Sequence, residues 1–195
     1  LRSQQIACDL LLQESIEWHK VMPLVDRVNL MTYDLVHGYS TVTGHHTPLY
    51  STPEQKESTD NAIRYLDSIG IARNKMVIGA AFYARIFENV ADKNNGLYQT
   101  TKFRNGVPHK NFERVFRPDS GFVYHWDDVA KAPYLYNANK KWFVTFDDTT
   151  SMRLKTEYTI SKKLNGIMFW QLNDDKFSNG LLEVIYTTRQ KYFKA

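Results

Sequence analysis

Apolar positions recur along this chain with two periods, and the alternation between them organises it. The run Val28-Asn29-Leu30-Met31-Thr32-Tyr33-Asp34 is short and rich in strand formers, so residues 28–34 read as a buried strand. Side chains alternate across a strand. Val28 and Leu30 therefore share one face, while Asn29, Met31 and Tyr33 share the other. The first face is plain packing. The second carries an amide, a thioether and a phenol, and leads to Asp34 at the C-terminal tip. In parallel α/β folds that is the end where chemistry is placed. Residues 76–85 and 166–170 read as two further buried strands. Gly79, Ala81, Tyr83 and Arg85 share a parity in the first of these, and Met168 and Trp170 share a face in the second.

Helical spacing lies between these runs. Residues 14–22 predict a short helix ended by Pro23. Residues 58–68 predict another, with Ser58 or Thr59 as N-cap and a stripe of Ala62, Ile63, Leu66 and Ile69. Gly70 suits the left-handed position that closes it. Residues 151–163 and 179–193 predict two more helices. Residues 4–12 mix strand-like and helix-like features. Residues 37–50 read as a long polar and aromatic loop leaving the first strand's C-terminal end, punctuated by Gly38, Gly44 and Pro48. From residue 88 to 146 the pattern changes to short strand candidates at 122–126, 134–136 and 142–146. The last two are joined by the turn Asn137-Ala138-Asn139-Lys140. That block is too long for a connection and too strand-rich for a crossover helix, and reads as an α+β insertion. The remaining order is strand, helix, strand, helix, strand, helix, which predicts a parallel sheet with helical crossovers.

Composition narrows the picture without changing it. The 195 residues are 43% hydrophobic and 14% aromatic, which suits one globular domain, or one plus an insertion. Lys and Arg exceed Asp and Glu by 25 to 21, but the cations are scattered, so no nucleic-acid surface is expected. There is no membrane span in the sequence. Cys8 is the single cysteine, which excludes an intrachain disulfide and a thiolate metal cluster. His45-His46 lacks an apparent third ligand, so loop packing or a rim contact is expected rather than a metal site. Asp147-Asp148 and Asp174-Asp175 suggest capping and loop hydrogen bonds, because sequence neighbours point apart. No cofactor is called for. The chain starts at Leu1 within a mixed segment and reads as a fragment or a processed piece.

Met31-Thr32-Tyr33-Asp34, Gly79-Ala80-Ala81-Phe82-Tyr83-Ala84-Arg85 and Gly166-Ile167-Met168-Phe169-Trp170 together resemble the last three strand motifs of family 18 glycoside hydrolases, the chitinase-like (β/α)8 barrels. Phe146-Asp147-Asp148, followed by Ser151 and Lys155, is similar to the segment that leaves the chitinase insertion domain. The resemblance covers roughly residues 15–190. It implies a partial TIM (β/α)8 barrel, about strands 5/6 to 8, formed by residues 1–87 and 146–195. Residues 88–145 would be the α+β insertion domain. The acidic D-x-x-D-x-D-x-E signature, whose Glu is the family's general acid, is not in these 195 residues.

The resemblance further implies polysaccharide degradation: hydrolysis of β-1,4-linked N-acetylglucosamine by a substrate-assisted retaining mechanism, outside the usual two-carboxylate scheme. Endo-β-N-acetylglucosaminidases share the fold. Tyr33 would hold the acetamido oxygen, and Asp34 would bind sugar hydroxyls and bias the site's protonation. Trp170 would form an apolar floor, Met31 would line the pocket, and Tyr83 and Arg85 would reach the sugars at its mouth. Each has a plainer reading from the residues alone. Tyr33 and Trp170 could be core, Asp34 a cap, and Tyr83 and Arg85 a buried pair or half of a salt bridge. The alternative function is a non-catalytic chitin-binding lectin of the same fold. With the acid missing, the chain alone is expected to be inactive. An open half-barrel is expected to need its missing N-terminal half or self-association. A polymeric chitin partner suggests a secreted, periplasmic or cell-surface location.

Overall fold

The computed structural model describes residues 2–7 and 15–193. In chain order its elements are β1 (Ser3–Ala7), α1 (Trp18–Val21), β2 (Arg27–Met31), α2 (Thr59–Ser68), β3 (Met76–Ala81), β4 (Tyr83–Glu88), β5 (Lys102–Pro108), α3 (Phe112–Val115), β6 (Val123–Asp127), β7 (Ala132–Asn137), β8 (Trp142–Thr145), α4 (Thr149–Ser161), β9 (Gly166–Trp170) and α5 (Leu181–Phe193). Among the described residues the strands form two sheets. One is parallel in the order β1-β2-β3-β9, and the other is antiparallel in the order β5-β4-β8-β7-β6.

Alternation along the parallel strands decides what packs where. Val28 and Leu30 of β2 and Met76 and Ile78 of β3 are buried against Ala62, Ile63 and Leu66 of α2 and Tyr158 of α4. Burying one such aliphatic side chain stabilises by roughly 1.5–3 kcal/mol. Ala80 and Phe82 pack on Met152 of α4 and Leu181 of α5. The opposite face, with Asn29, Met31, Met168 and Trp170, stays partly open. Ser58 is the cap of α2, its side chain accepting from the Asn61 N–H at 3.0 Å, and Gly70 adopts φ +83° beyond its end. Asp148 caps α4 in a reciprocal box with Ser151, so that helix starts before residue 151.

Several boundaries differ from expectation. The strand expected at 28–34 stops at Met31. Thr32 is fully buried, and its hydroxyl donates to the Gly79 carbonyl at 2.8 Å while accepting from the Gly79 N–H at 2.9 Å. A side chain thus replaces the strand ladder there. The single strand expected at 76–85 is two strands in different sheets, parted at Phe82. The Phe82 N–H donates to the Trp170 carbonyl at 2.8 Å, and the Phe82 carbonyl accepts from the His109 N–H at 2.9 Å. Parity continues through such a break, so periodicity does not reveal it. The helix expected at 14–22 is one turn, α1, followed by a tight turn at Met22–Leu24, because Pro23 stops the regular helix. Residue 14 lies outside the described residues, as do 8–12 of the ambiguous 4–12 segment; its start forms β1. In the β7–β8 hairpin Asn137 still pairs with Trp142, so the turn is 138–141, with Lys141 at φ +53°. Strand β5 was not expected: Lys102, Arg104, Asn105 and Gly106 break any apolar alternation.

The loop after β2 joins the two sheets. Leu35 N–H donates to the His46 carbonyl, His46 N–H to Thr145 Oγ1, and Leu49 N–H to the Ala130 carbonyl.

Candidate functional site

Gly79 decides where Tyr33 lies. A Cβ at Gly79 would stand 2.7 Å from Tyr33 Cε1 and 2.8 Å from the Leu30 carbonyl oxygen, so the phenol ring occupies the space that any other residue would fill. The ring meets Tyr83 edge-on, with centroids 6.3 Å apart. Asp34 follows at φ +57°, a left-handed conformation that Asp tolerates better than most residues. That turn brings its carboxylate to Arg85 on β4. The guanidinium donates through Nε to Oδ1 at 2.8 Å and through Nη2 to Oδ2 at 2.6 Å, a two-pronged geometry peculiar to arginine. The Arg85 head also lies 5.2 Å from the Tyr83 ring centre and 5.3 Å from that of Phe103.

Trp170 stands at the tip of β9, 53% exposed, and its peptide bond to Gln171 is cis. Met31, Tyr33, Asp34, Tyr83, Arg85 and Trp170 line one cavity of about 490 Å³. The same cavity is walled by Gly106, Val107, Pro108 and Asp174, which sequence reasoning did not single out as site residues. Of these only Asp174 carried a signal, as half of an acidic pair. Its neighbour Asp175 takes the expected loop role, accepting from the N–H groups of Lys176, Leu181 and Leu182. Beyond the Asp34–Arg85 pair lies a second hollow of about 530 Å³, bordered by His37, Gly38, Tyr39 and Phe103.

The charges are arranged for hydrogen bonding at neutral pH. Burial alone would push Asp34 up, but the two-pronged Arg85 guanidinium beside it holds its carboxyl well below the usual range. Burial and the Asp34 charge push the Tyr83 phenol far above its ordinary value, so it remains a neutral donor. Arg85 is raised: burial opposes its charge and Asp34 more than offsets this. His46 Nδ1 is 3.7 Å from Asp34 Oδ1, too long for a hydrogen bond, and burial lowers the His46 pKa. The imidazole is therefore a neutral wall behind the carboxylate. Both His45 and His46 are buried, which excludes a rim contact and leaves loop packing; His45 Nε2 lies 3.0 Å from Asp127 Oδ2. Among the described residues no group of three His, Cys, Asp or Glu side chains is placed to hold a metal, and no helix is long and apolar enough to cross a membrane.

Asp147 departs from its expected role. Instead of a loop cap it forms a fully buried ion pair with Lys155, 2.7 Å at its shorter contact.

A family model described as Glycosyl hydrolases family 18 matches residues 5–175. Chitinase A1 of Niallia circulans is 33% identical over 178 residues, which is 82% of this chain and 25% of that protein. Among solved structures, a glycoside hydrolase family 18 N-acetylglucosaminidase from Paenibacillus barengoltzii superposes with a TM-score of 0.87 at 33% identity, covering 95% of this chain and 55% of that one. The Group IV chitinase of Ostrinia furnacalis in complex with allosamidin gives 0.87 at 26%, covering 97% and 57%. The chain thus spans less than two thirds of the length of each of these relatives.

Proposed function

Because this chain belongs to glycosyl hydrolases family 18, whose chitinase members are among its relatives, we propose that it carries the sugar-orienting part of a site for β-1,4-linked N-acetylglucosamine. The observation that carries this reading is the convergence of the six named side chains on one cavity. Hydrolysis in this reading is substrate-assisted and retaining. The substrate's own acetamido oxygen attacks the anomeric carbon, and the Tyr33 hydroxyl holds that oxygen in line. Fixing such a near-attack geometry offsets several kcal/mol of barrier. Asp34, with two of its lone-pair sites occupied by Arg85, keeps others for sugar hydroxyls. Trp170 offers an apolar floor to the C–H face of a pyranose, Met31 lines the pocket beside it, and Tyr83 and Arg85 form the rim. The second hollow, on the far side of the Asp34–Arg85 pair, gives room for more than one ring.

In the same reading residues 1–87 and 146–195 are the C-terminal part of a (β/α)8 barrel, roughly its strands 5/6 to 8, and residues 88–145 are an insertion. The β4 strand straddles the junction. The general-acid Glu comes from polypeptide outside these residues, the chain alone does not hydrolyse chitin, and its open sheet edges pair with that polypeptide or with a second copy. The substrate puts the site of action at a secreted, periplasmic or cell-surface location. The alternative is a non-catalytic chitin-binding lectin of this fold, in which the Glu of D-x-x-D-x-D-x-E is replaced and the sugar-binding residues remain.

Titrating the chain with N-acetylglucosamine oligomers and following tryptophan emission tests the proposal. Binding is expected, and Trp170→Ala is expected to weaken it about tenfold, a loss of about 1.4 kcal/mol. Wild-type chain that binds no oligomer sinks the reading. Adding upstream sequence that contains the acidic motif is expected to restore hydrolysis; a Gln or Leu in the Glu position selects the lectin instead.

A further inference from the structure

The Asp147–Lys155 pair does not line the cavity, yet its hydrogen bonds run to the residue beside Tyr33. Lys155 Nζ on α4 is ringed by oxygens: Asp147 Oδ1 and Oδ2 at 2.8 and 2.7 Å, the Thr47 carbonyl at 2.7 Å and Thr47 Oγ1 at 2.5 Å. Such surroundings suit an ammonium, although burial draws the Lys155 pKa down. Thr47 Oγ1 accepts from that ammonium and has one proton of its own to give. Two acceptors are in reach, Asp147 Oδ2 at 3.1 Å and the Thr32 carbonyl at 3.2 Å. Asp147 already receives Lys155 and the Ser151 hydroxyl, the latter at 2.7 Å. The Thr32 carbonyl lies one residue past the end of β2 in a fully buried residue. Leaving it unpaired costs more than leaving an already satisfied carboxylate with one donor fewer. The Thr47 proton therefore goes to Thr32. Thr32 in turn brackets Gly79, the glycine over which the Tyr33 ring lies.

We infer that Thr47 and Lys155 are positioning residues of this site: the ammonium aims the Thr47 hydroxyl at Thr32, and Thr32 sets Tyr33 over Gly79 and starts the turn that points Asp34 at Arg85. What the positioning serves rests on the sugar-site reading. The test uses the full chain. Thr47→Val keeps the shape and removes the hydroxyl; Thr47→Ala removes it without placing a methyl against Asp147; Thr47→Ser keeps it. The first two are expected to weaken binding of an N-acetylglucosamine tetramer about tenfold. They are also expected to shift the NMR resonances of the Gly79 amide and the Arg85 Nε–H, with Thr47→Ser close to wild type in both. Unchanged resonances in both hydroxyl-free variants overturn the inference, whatever happens to their melting temperatures. If the wild-type chain binds no tetramer, the sugar reading fails separately, and the two resonances still decide whether Thr47 positions the turn.

Discussion

The parallel sheet and the antiparallel sheet meet where the chain crosses from β3 to β4 at Phe82, and they contribute to the cavity in opposite ways. The parallel sheet offers strand ends. Met31 and Trp170 are the last residues of β2 and β9, and Tyr33 and Asp34 follow just past β2. The antiparallel sheet offers a strand face. Tyr83 and Arg85 of β4 point to the cavity while Ala84 and Ile86, which alternate with them, are buried in a core with Val144 and Leu135. Crossover helices cover a parallel sheet and leave its ends as the accessible backbone. An antiparallel strand can keep one face open. The site is therefore an end set against a face, and its central contact, Asp34 to Arg85, joins the two sheets.

The sharpest way to break that arrangement is at the crossing. Phe82 is fully buried and stacks on Phe169 with centroids 4.6 Å apart. Phe82→Ala is expected to cost about 3–5 kcal/mol, read from urea unfolding. Both sheets should lose structure in one transition, and separate transitions would show that they fold independently. Gly79→Ala acts on the parallel side alone. Its Cβ overlaps the Tyr33 ring, and overpacking of this kind costs roughly 1–3 kcal/mol. Sugar affinity should fall with it, while the near-ultraviolet signal of the antiparallel sheet's aromatics stays. Trp170→Ala, at a half-exposed strand tip, should change stability by no more than about 0.5 kcal/mol; a larger fall would make Trp170 a packing residue rather than a sugar floor.

The pH dependence sharpens the contact between the sheets. Asp34 is held below its unfolded value of about 3.9. The unfolded chain therefore takes up this proton first as pH falls, and stability rises with pH across that interval. The Asp34–Arg85 contribution is in place from pH 5 to 8 and is lost progressively below about pH 4. Acid unfolding should accordingly be less steep in Asp34→Asn than in wild type; equal slopes would mean the pair adds nothing to the native state.

Much of this was legible in the chain. The alternation of Val28 and Leu30 against Asn29 and Met31 foretold which face is buried, and the Ser58 cap and Gly70 closed α2 where expected. The motif resemblance selected six residues that share one cavity. What stayed hidden depended on partners distant in sequence. Asp147 beside Asp148 looked like a second cap, yet it pairs with Lys155 on α4 and meets Thr47, 100 positions back in the chain. His45 and His46 looked free to reach a rim, yet both are sealed in by the loop that joins the sheets. The 106–108 segment carries no pattern that marks it as cavity wall, and Asp174 showed only as half of an acidic pair.

Local spacing by itself determined strands β2, β3 and β9, helices α2, α4 and α5, the buried faces of these elements and the chemical types at the strand ends, because those follow from covalent alternation and from side-chain hydrophobicity. Only the tertiary structure decided that the 76–85 run is split between two sheets, that Asp34 is bound two-pronged by Arg85, and that Thr32, Thr47 and Lys155 stand behind Tyr33. Those outcomes are contacts between residues 15 to 108 positions apart. The periodicity of a chain states which way a side chain faces, but it does not say what will be facing it.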